Sequence, residues 1–167
     1  MKSIGEVMAI GSTFKHALWK AIRSLETGRK PGTDVFDPEL VRSRLITPTP
    51  ERLSYLRYAF AQGMTVEEAH DLTKIDPWFL EQLREAIDFQ GTLGDDTLET
   101  VSDENLRQAK RYGFSDDRLS RLWGVTEAAV REKRKEAGIK AVYKRVDTCA
   151  AEFESFTPYL YSVFEDE

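Results

Sequence analysis

Histidine, cysteine and adjacent carboxylates are the side chains from which a catalytic or metal site would be built. This 167-residue chain offers few of them in useful patterns: two histidines, one cysteine and the acidic pairs Glu67-Glu68 and Asp116-Asp117. Imidazole suits acid–base work or metal ligation near neutral pH. His16 and His70, however, stand far apart with no ligand spacing around them, so each is expected to be structural or exposed. Cys149 lies between Asp147 and Glu152. Negative charge there disfavours the thiolate, which predicts a buried structural cysteine rather than a nucleophile. Both acidic pairs fall in the first turns of predicted helices, where they favour the helix dipole, and are not assigned as acid–base catalysts. No P-loop, paired-glycine fingerprint or serine elbow is present. Trp78, Phe79 and Leu80 are expected in the core, and Trp19 is the better candidate for an exposed contact residue. The residues therefore assign no catalytic, cofactor-binding or metal site.

One segment has the look of a recognition motif. Residues 115–138 read as a short helix ending at Trp123-Gly124 and a second beginning at Thr126, a helix-turn-helix pattern. In a DNA reader the N-terminal part of the second helix enters the major groove. Here that part carries Glu127, Ala128 and Ala129. Glutamate is repelled by phosphate, and alanine reads little beyond a thymine methyl. Arg131, Lys133, Arg134 and Lys135 are nearly balanced by Glu127, Glu132 and Glu136. Nucleic-acid binding through 115–138 is the alternative function, and a compact helical corner is favoured.

Composition agrees. Twenty-four Lys and Arg face 29 Asp and Glu, a net charge of −5, against the basic surplus of a polyanion binder. Hydrophobic residues make up 41% of the chain, enough for a globular core. A single cysteine excludes an internal disulfide and suggests a reducing compartment. No apolar run approaches the roughly 20 residues of a membrane helix, and no leader pattern opens the chain. A cytoplasmic protein with no membrane partner is expected.

Most of the chain predicts helices. Thr13 caps a helix whose apolar set, Phe14, Ala17, Leu18, Ala21, Ile22 and Leu25, shares one face; Gly28 stops it. Residues 28–49, with Pro31, Gly32, Pro38 and Pro48, predict an irregular connection. From residue 50 the sequence repeats at an offset of 50 positions: Gly63 matches Gly113, Met64 Phe114, Thr65 Ser115, Leu72 Leu122, Leu80 Val130 and Arg84 Arg134. Each repeat reads as helix, glycine, short helix, tight connection, longer helix, over about 50–62, 65–73 and 76–90, then 103–112, 115–123 and 126–138. Two copies make two related three-helix subdomains rather than a solenoid, joined by 91–102. The predicted fold class is all-α, with short extended segments at both ends. At one end Ile4, Val7, Met8 and Ile10 suggest a buried strand. At the other, Val142, Tyr143 and Val146 are strand formers, Asp147 or Thr148 is placed to cap a short helix through Phe153, and Tyr159, Tyr161, Val163 and Phe164 alternate as a strand in need of a partner.

Specific peptides carry a resemblance. Met1–Gly11, Thr13-Phe14, Phe36-Asp37-Pro38, Thr73–Leu80, Lys110–Ser115 and Val142–Phe153 resemble, in order, the large chain of carbamoyl phosphate synthetase. The resemblance implies an oligomerisation domain between two ATP-grasp halves. Residues 1–12 would be the end of the first half and 13–49 a helix and irregular connection. Residues 50–94 and 95–140 would be helical subdomains, and 141–167 an extended lead toward the second half. The chain then looks cut from a larger protein. The implied parent is a ligase of pyrimidine and arginine biosynthesis. It makes carbamoyl phosphate from bicarbonate, ammonia and two ATP with magnesium or manganese. Its implied partners are other large chains and a glutaminase subunit or domain that supplies the ammonia. This segment alone is expected to be inactive and to bind none of those cofactors. Ser12 stands where the family usually has arginine.

Overall fold

The structure is a computed structural model that describes residues 6–25 and 36–165. The expectations for Ile4, Gly28, Pro31 and Gly32 lie outside the described residues. In chain order the elements are α1 (Phe14–Ser24), α2 (Pro38–Ile46), α3 (Arg52–Ala61), α4 (Val66–Thr73), α5 (Pro77–Gly94), α6 (Asp103–Arg111), α7 (Asp116–Trp123), α8 (Glu127–Glu136), β1 (Val142–Arg145) and β2 (Leu160–Val163). The helical class is borne out. The chain divides into two compact units, Glu26–Asp95 and Met1–Leu25 with Asp96–Glu167.

In the unit Glu26–Asp95, helix α2 occupies part of the stretch expected to be irregular. Asp37 accepts a bond from the Glu39 amide and Pro38 takes the first helical position, where a missing N–H costs nothing. Proline was a start signal here, not a breaker. Val41 and Leu45, one turn apart, are buried on this helix, which packs against α3 and α4. Helix α4 opens on a reciprocal capping box between Thr65 and Glu68. Helix α5 begins with Asp76 and Pro77 and runs through Gly91, which had been placed in the linker. Buried Leu93 explains the extension, because one further apolar contact offsets the modest helix penalty of glycine. Leu56, Ala59, Phe60, Ala69, Leu80, Leu83 and Ala86 complete this core.

The other unit packs Trp19, Leu106, Ala109, Phe114, Leu119, Val130, Ile139 and Val163. Its helices α6, α7 and α8 start at Ser102, Ser115 and Thr126, each hydroxyl accepting from the amide three residues on. The expected C-terminal strand finds its partner within the chain. β1 and β2 pair antiparallel, with Val142 opposite Val163 and Lys144 opposite Tyr161 on one face, Tyr143 opposite Ser162 and Arg145 opposite Leu160 on the other. No helix forms between Asp147 and Phe153. The Asp147 carboxylate instead accepts from the Cys149 and Ala151 amides, a side-chain turn that competes with helix. The suggested strand near the N-terminus is also absent among residues 6–10, where Met8 is 84% exposed.

Helix α1 departs most from expectation. Its buried residues are Lys15, His16 and Trp19, not the apolar set from Phe14 to Leu25. Trp19, expected outside, is 3% exposed and meets Phe114 edge-on at 6.2 Å between centroids. Lys15 lies over the Tyr112 ring at 4.9 Å. Aromatic and cation–π contacts outweighed the simple apolar stripe.

The 50-residue correspondence recurs in local geometry. Gly63 and Gly113 have φ of 91° and 94°. The Met64 amide donates to Ala59 and the Phe114 amide to Ala109, both at 3.0 Å. Each is the same glycine-terminated helix stop.

Candidate functional site

A buried charged cluster lies at the α6–α7 corner. Lys110 lies in the last turn of α6 and Asp116 opens α7, with the positive-φ Gly113 stop between them. The Lys110 ammonium donates to Asp116 Oδ1 at 2.7 Å and to the Phe114 carbonyl at 2.6 Å. From α8, Arg134 donates to Asp116 Oδ2 at 3.0 Å and to the Ile139 carbonyl at 2.9 Å. The Phe164 ring closes the cluster, 4.8 Å from the Lys110 nitrogen and 5.4 Å from the Arg134 guanidinium. Lys110 is only 3% exposed. Burial pulls its pKa down to about 8, although Asp116 opposes the shift. Burial pushes the Asp116 carboxyl up, but Lys110 and Arg134 together hold it below the usual range. Asp116 is thus an internal counter-ion, and its neighbour Asp117 pairs with Arg121. Neither is free for acid–base work.

His16 sits beside this cluster, its Cα and ring against Gly113; a Cβ built on Gly113 would lie 3.0 Å from the His16 Cα. Burial lowers the His16 pKa to about 4, with Lys20 and Arg23 adding to the shift. The imidazole is neutral and structural. Nearby, the Arg118 guanidinium lies between two rings, 4.1 Å from Trp19 and 3.9 Å from Phe114.

His70 is elsewhere, with Nδ1 2.7 Å from the Ile75 carbonyl, closing the α4–α5 turn. Glu68 holds the Thr65 amide. Cys149 is half-buried in the β1–β2 connection rather than buried as expected. Trp78 and Phe79 also correct the expectation: they are about half exposed and contact each other edge-on, whereas Leu80 is buried. Among the described residues no three His, Cys, Asp or Glu side chains gather as a metal site. No described helix is long and apolar enough to cross a membrane.

On the helix-turn-helix segment, Arg131 pairs with Glu127, Lys135 with Glu132 and Arg134 with Asp116. Arg134 is engaged within the corner and the other two cations pair with carboxylates on their own helix, and the geometry gives nucleic-acid binding no support. The residues that sequence reading missed are Lys110 and Arg118. A signal existed for the first: the repeat places Lys110 where the other copy has Phe60, and a cation at a core position calls for a buried partner.

The outward face has a different character. Tyr143, Phe153, Phe156, Tyr159 and Leu160, all on or beside the β1–β2 hairpin, are 63–75% exposed. Several large exposed apolar side chains on one motif mark an interaction surface. The buried Lys110–Asp116–Arg134 cluster and the exposed aromatic group thus lie in different parts of this unit's surface and interior.

Comparison with known proteins gives the family. The family described as "Carbamoyl-phosphate synthetase large chain, oligomerisation domain" matches residues 6–138. The carbamoyl phosphate synthase large chain of Acidobacterium capsulatum is 56% identical over 171 residues, covering 100% of this chain and 16% of the relative. That of Archaeoglobus fulgidus is 49% identical over 176 residues with the same coverage. That of Thermotoga neapolitana is 51% identical over 164 residues, covering 98% and 14%. The chain belongs to the oligomerisation-domain family of the carbamoyl phosphate synthase large chain. It spans about one-sixth of the length of these relatives.

Proposed function

We propose that this chain serves as the coupling segment of a carbamoyl phosphate synthase large chain, associating large chains and spacing two ATP-grasp halves. In this reading residues 1–12 belong to the end of the first half, 13–140 form the helical spacer and 141–167 lead toward the second. The observation that carries it is the exposed aromatic group Tyr143, Phe153, Phe156, Tyr159 and Leu160. A stable interface removes roughly 1,200–2,000 Å² from water, and rigid aromatics are the residues that dominate such interfaces. The parent reaction joins bicarbonate with glutamine-derived ammonia at the expense of two ATP and uses magnesium or manganese. Its glutaminase partner and its cytoplasmic setting belong to the same proposal. In this reading the chain's own residues supply position, not chemistry, and the buried Lys110, Asp116 and Arg134 are paired with one another.

Sedimentation over a concentration series tests the association. A weight-average mass that rises with concentration is expected, and a strict monomer at high micromolar concentration opposes it. Bicarbonate-dependent ATP consumption by the isolated chain is expected to be nil; measurable turnover would overturn the assignment as a spacer.

A further inference from the structure

The segment before α1 and the distant strand β2 meet at one ammonium. Lys20, on the second turn of α1, donates to the Ile10 carbonyl at 3.0 Å and to the Ser162 carbonyl at 2.6 Å. Its nitrogen lies 6.0 Å from the centroid of the Tyr161 ring. Ile10 belongs to the extended segment entering α1, and Ser162 to β2, whose ladder partner is β1. The chain at Gly11 is also pressed onto α1: a Cβ there would lie 2.7 Å from the Ala17 nitrogen, so only glycine allows that approach. A second tie joins the same two strips. Glu165 accepts from Lys144 and from Ser12, and these bonds hold its carboxyl below the usual range. A third fixes α1 itself, as Arg23 donates to the Gly113 carbonyl at 2.7 Å.

We infer that Lys20 is a positioning residue that pins the segment entering the unit to the strand near its exit, so that displacement of one carries to the other. An ammonium suits this task. It offers three donors, makes no demand on side-chain identity, and binds main-chain carbonyls more strongly than a neutral donor does. The Ser12 hydroxyl makes a weaker tie to Glu165 than a guanidinium would, which leaves Lys20 as the main fastening. The inference does not depend on self-association: it concerns distances within one chain.

The test uses the 167-residue chain with Cys149→Ser and spin labels at Met8→Cys and Leu160→Cys, diluted with unlabelled chain. A narrow label-to-label distance distribution is expected. Lys20→Met should broaden it and accelerate amide exchange in β2 by roughly tenfold or more, the fold-change that follows loss of a hydrogen bond to a charged group. The helical circular dichroism and the exchange of α7 and α8 should stay unchanged. Lys20→Gln, which keeps one donor arm, should fall between. An unchanged distribution in either folded variant overturns the inference. Loss of helix in both variants would make Lys20 part of the core rather than a pin, and would overturn it equally. Concentration-dependent mass, read separately, leaves this result untouched.

Discussion

The two repeats hold the same corner by different means. In the first, Phe60 and Val66 occupy the positions that Lys110 and Asp116 fill in the second. Phe60 is fully buried, and Arg84 lies 5.8 Å from its ring while donating to the Met64 carbonyl at 2.6 Å. In the second repeat Lys110 takes the equivalent Phe114 carbonyl, and Arg134 turns to Asp116. One arginine position thus serves an apolar corner in one copy and an ionic corner in the other. The backbone stop, with positive-φ glycine and a 3.0 Å amide bond five residues back, is common to both. The shared geometry therefore resides in caps and glycines, while the side chains between them are interchangeable as sets. A buried ion pair adds little stability over apolar packing, but losing one partner is severe.

The largest expected effect follows. Asp116→Ala leaves Lys110 and Arg134 buried without a counter-ion and should cost about 3–5 kcal/mol in urea unfolding. Val66→Ala, the matching change at a half-buried apolar site, should cost far less. Equal losses would break the comparison.

The next effect is on pH. The folded His16 pKa is about 4, below the ordinary value of about 6.5. Its contribution is complete above pH 6.5, where both states are neutral. It is lost as pH falls from 6.5 to about 4, because the unfolded chain takes up the proton first; the loss amounts to up to about 3 kcal/mol. Stability measured across that window should fall in the native chain and flatten in His16→Gln.

Glycine stops come third. Gly63→Ala meets open space and suffers only its positive φ, a penalty of roughly 1–2 kcal/mol. Gly113→Ala must also displace the His16 backbone and should lose more. Thermal unfolding of the two variants reads the difference.

The smallest net effect is expected from Lys110→Phe with Asp116→Val, which transplants the first corner into the second. Arg134 is then free to take the Phe114 carbonyl as Arg84 takes that of Met64. The double variant should match or exceed native stability and recover the loss caused by Asp116→Ala.

The same division explains what could be read in advance. Caps at Thr13, Thr65, Asp76, Ser115 and Thr126 are local chemistry, and each start lies where expected. Helix α2 was missed because Pro38 was taken as a breaker when Asp37 made it a start. The buried face of α1 was missed because apolar spacing alone does not register Trp19, His16 and Lys15 seated on aromatic and glycine neighbours from a distant segment. Lys110 could have been found from the repeat. The exposure of Trp78 and Phe79 could not, since it depends on what packs against the first turn of α5.

The account rests on outward aromatics doing the work of association. The most direct measurement is sedimentation equilibrium of the chain beside its Phe153→Ser, Phe156→Ser double variant at matched concentrations. Self-association in the native chain and its loss in a fully helical variant is the predicted result; identical behaviour of the two would contradict the account.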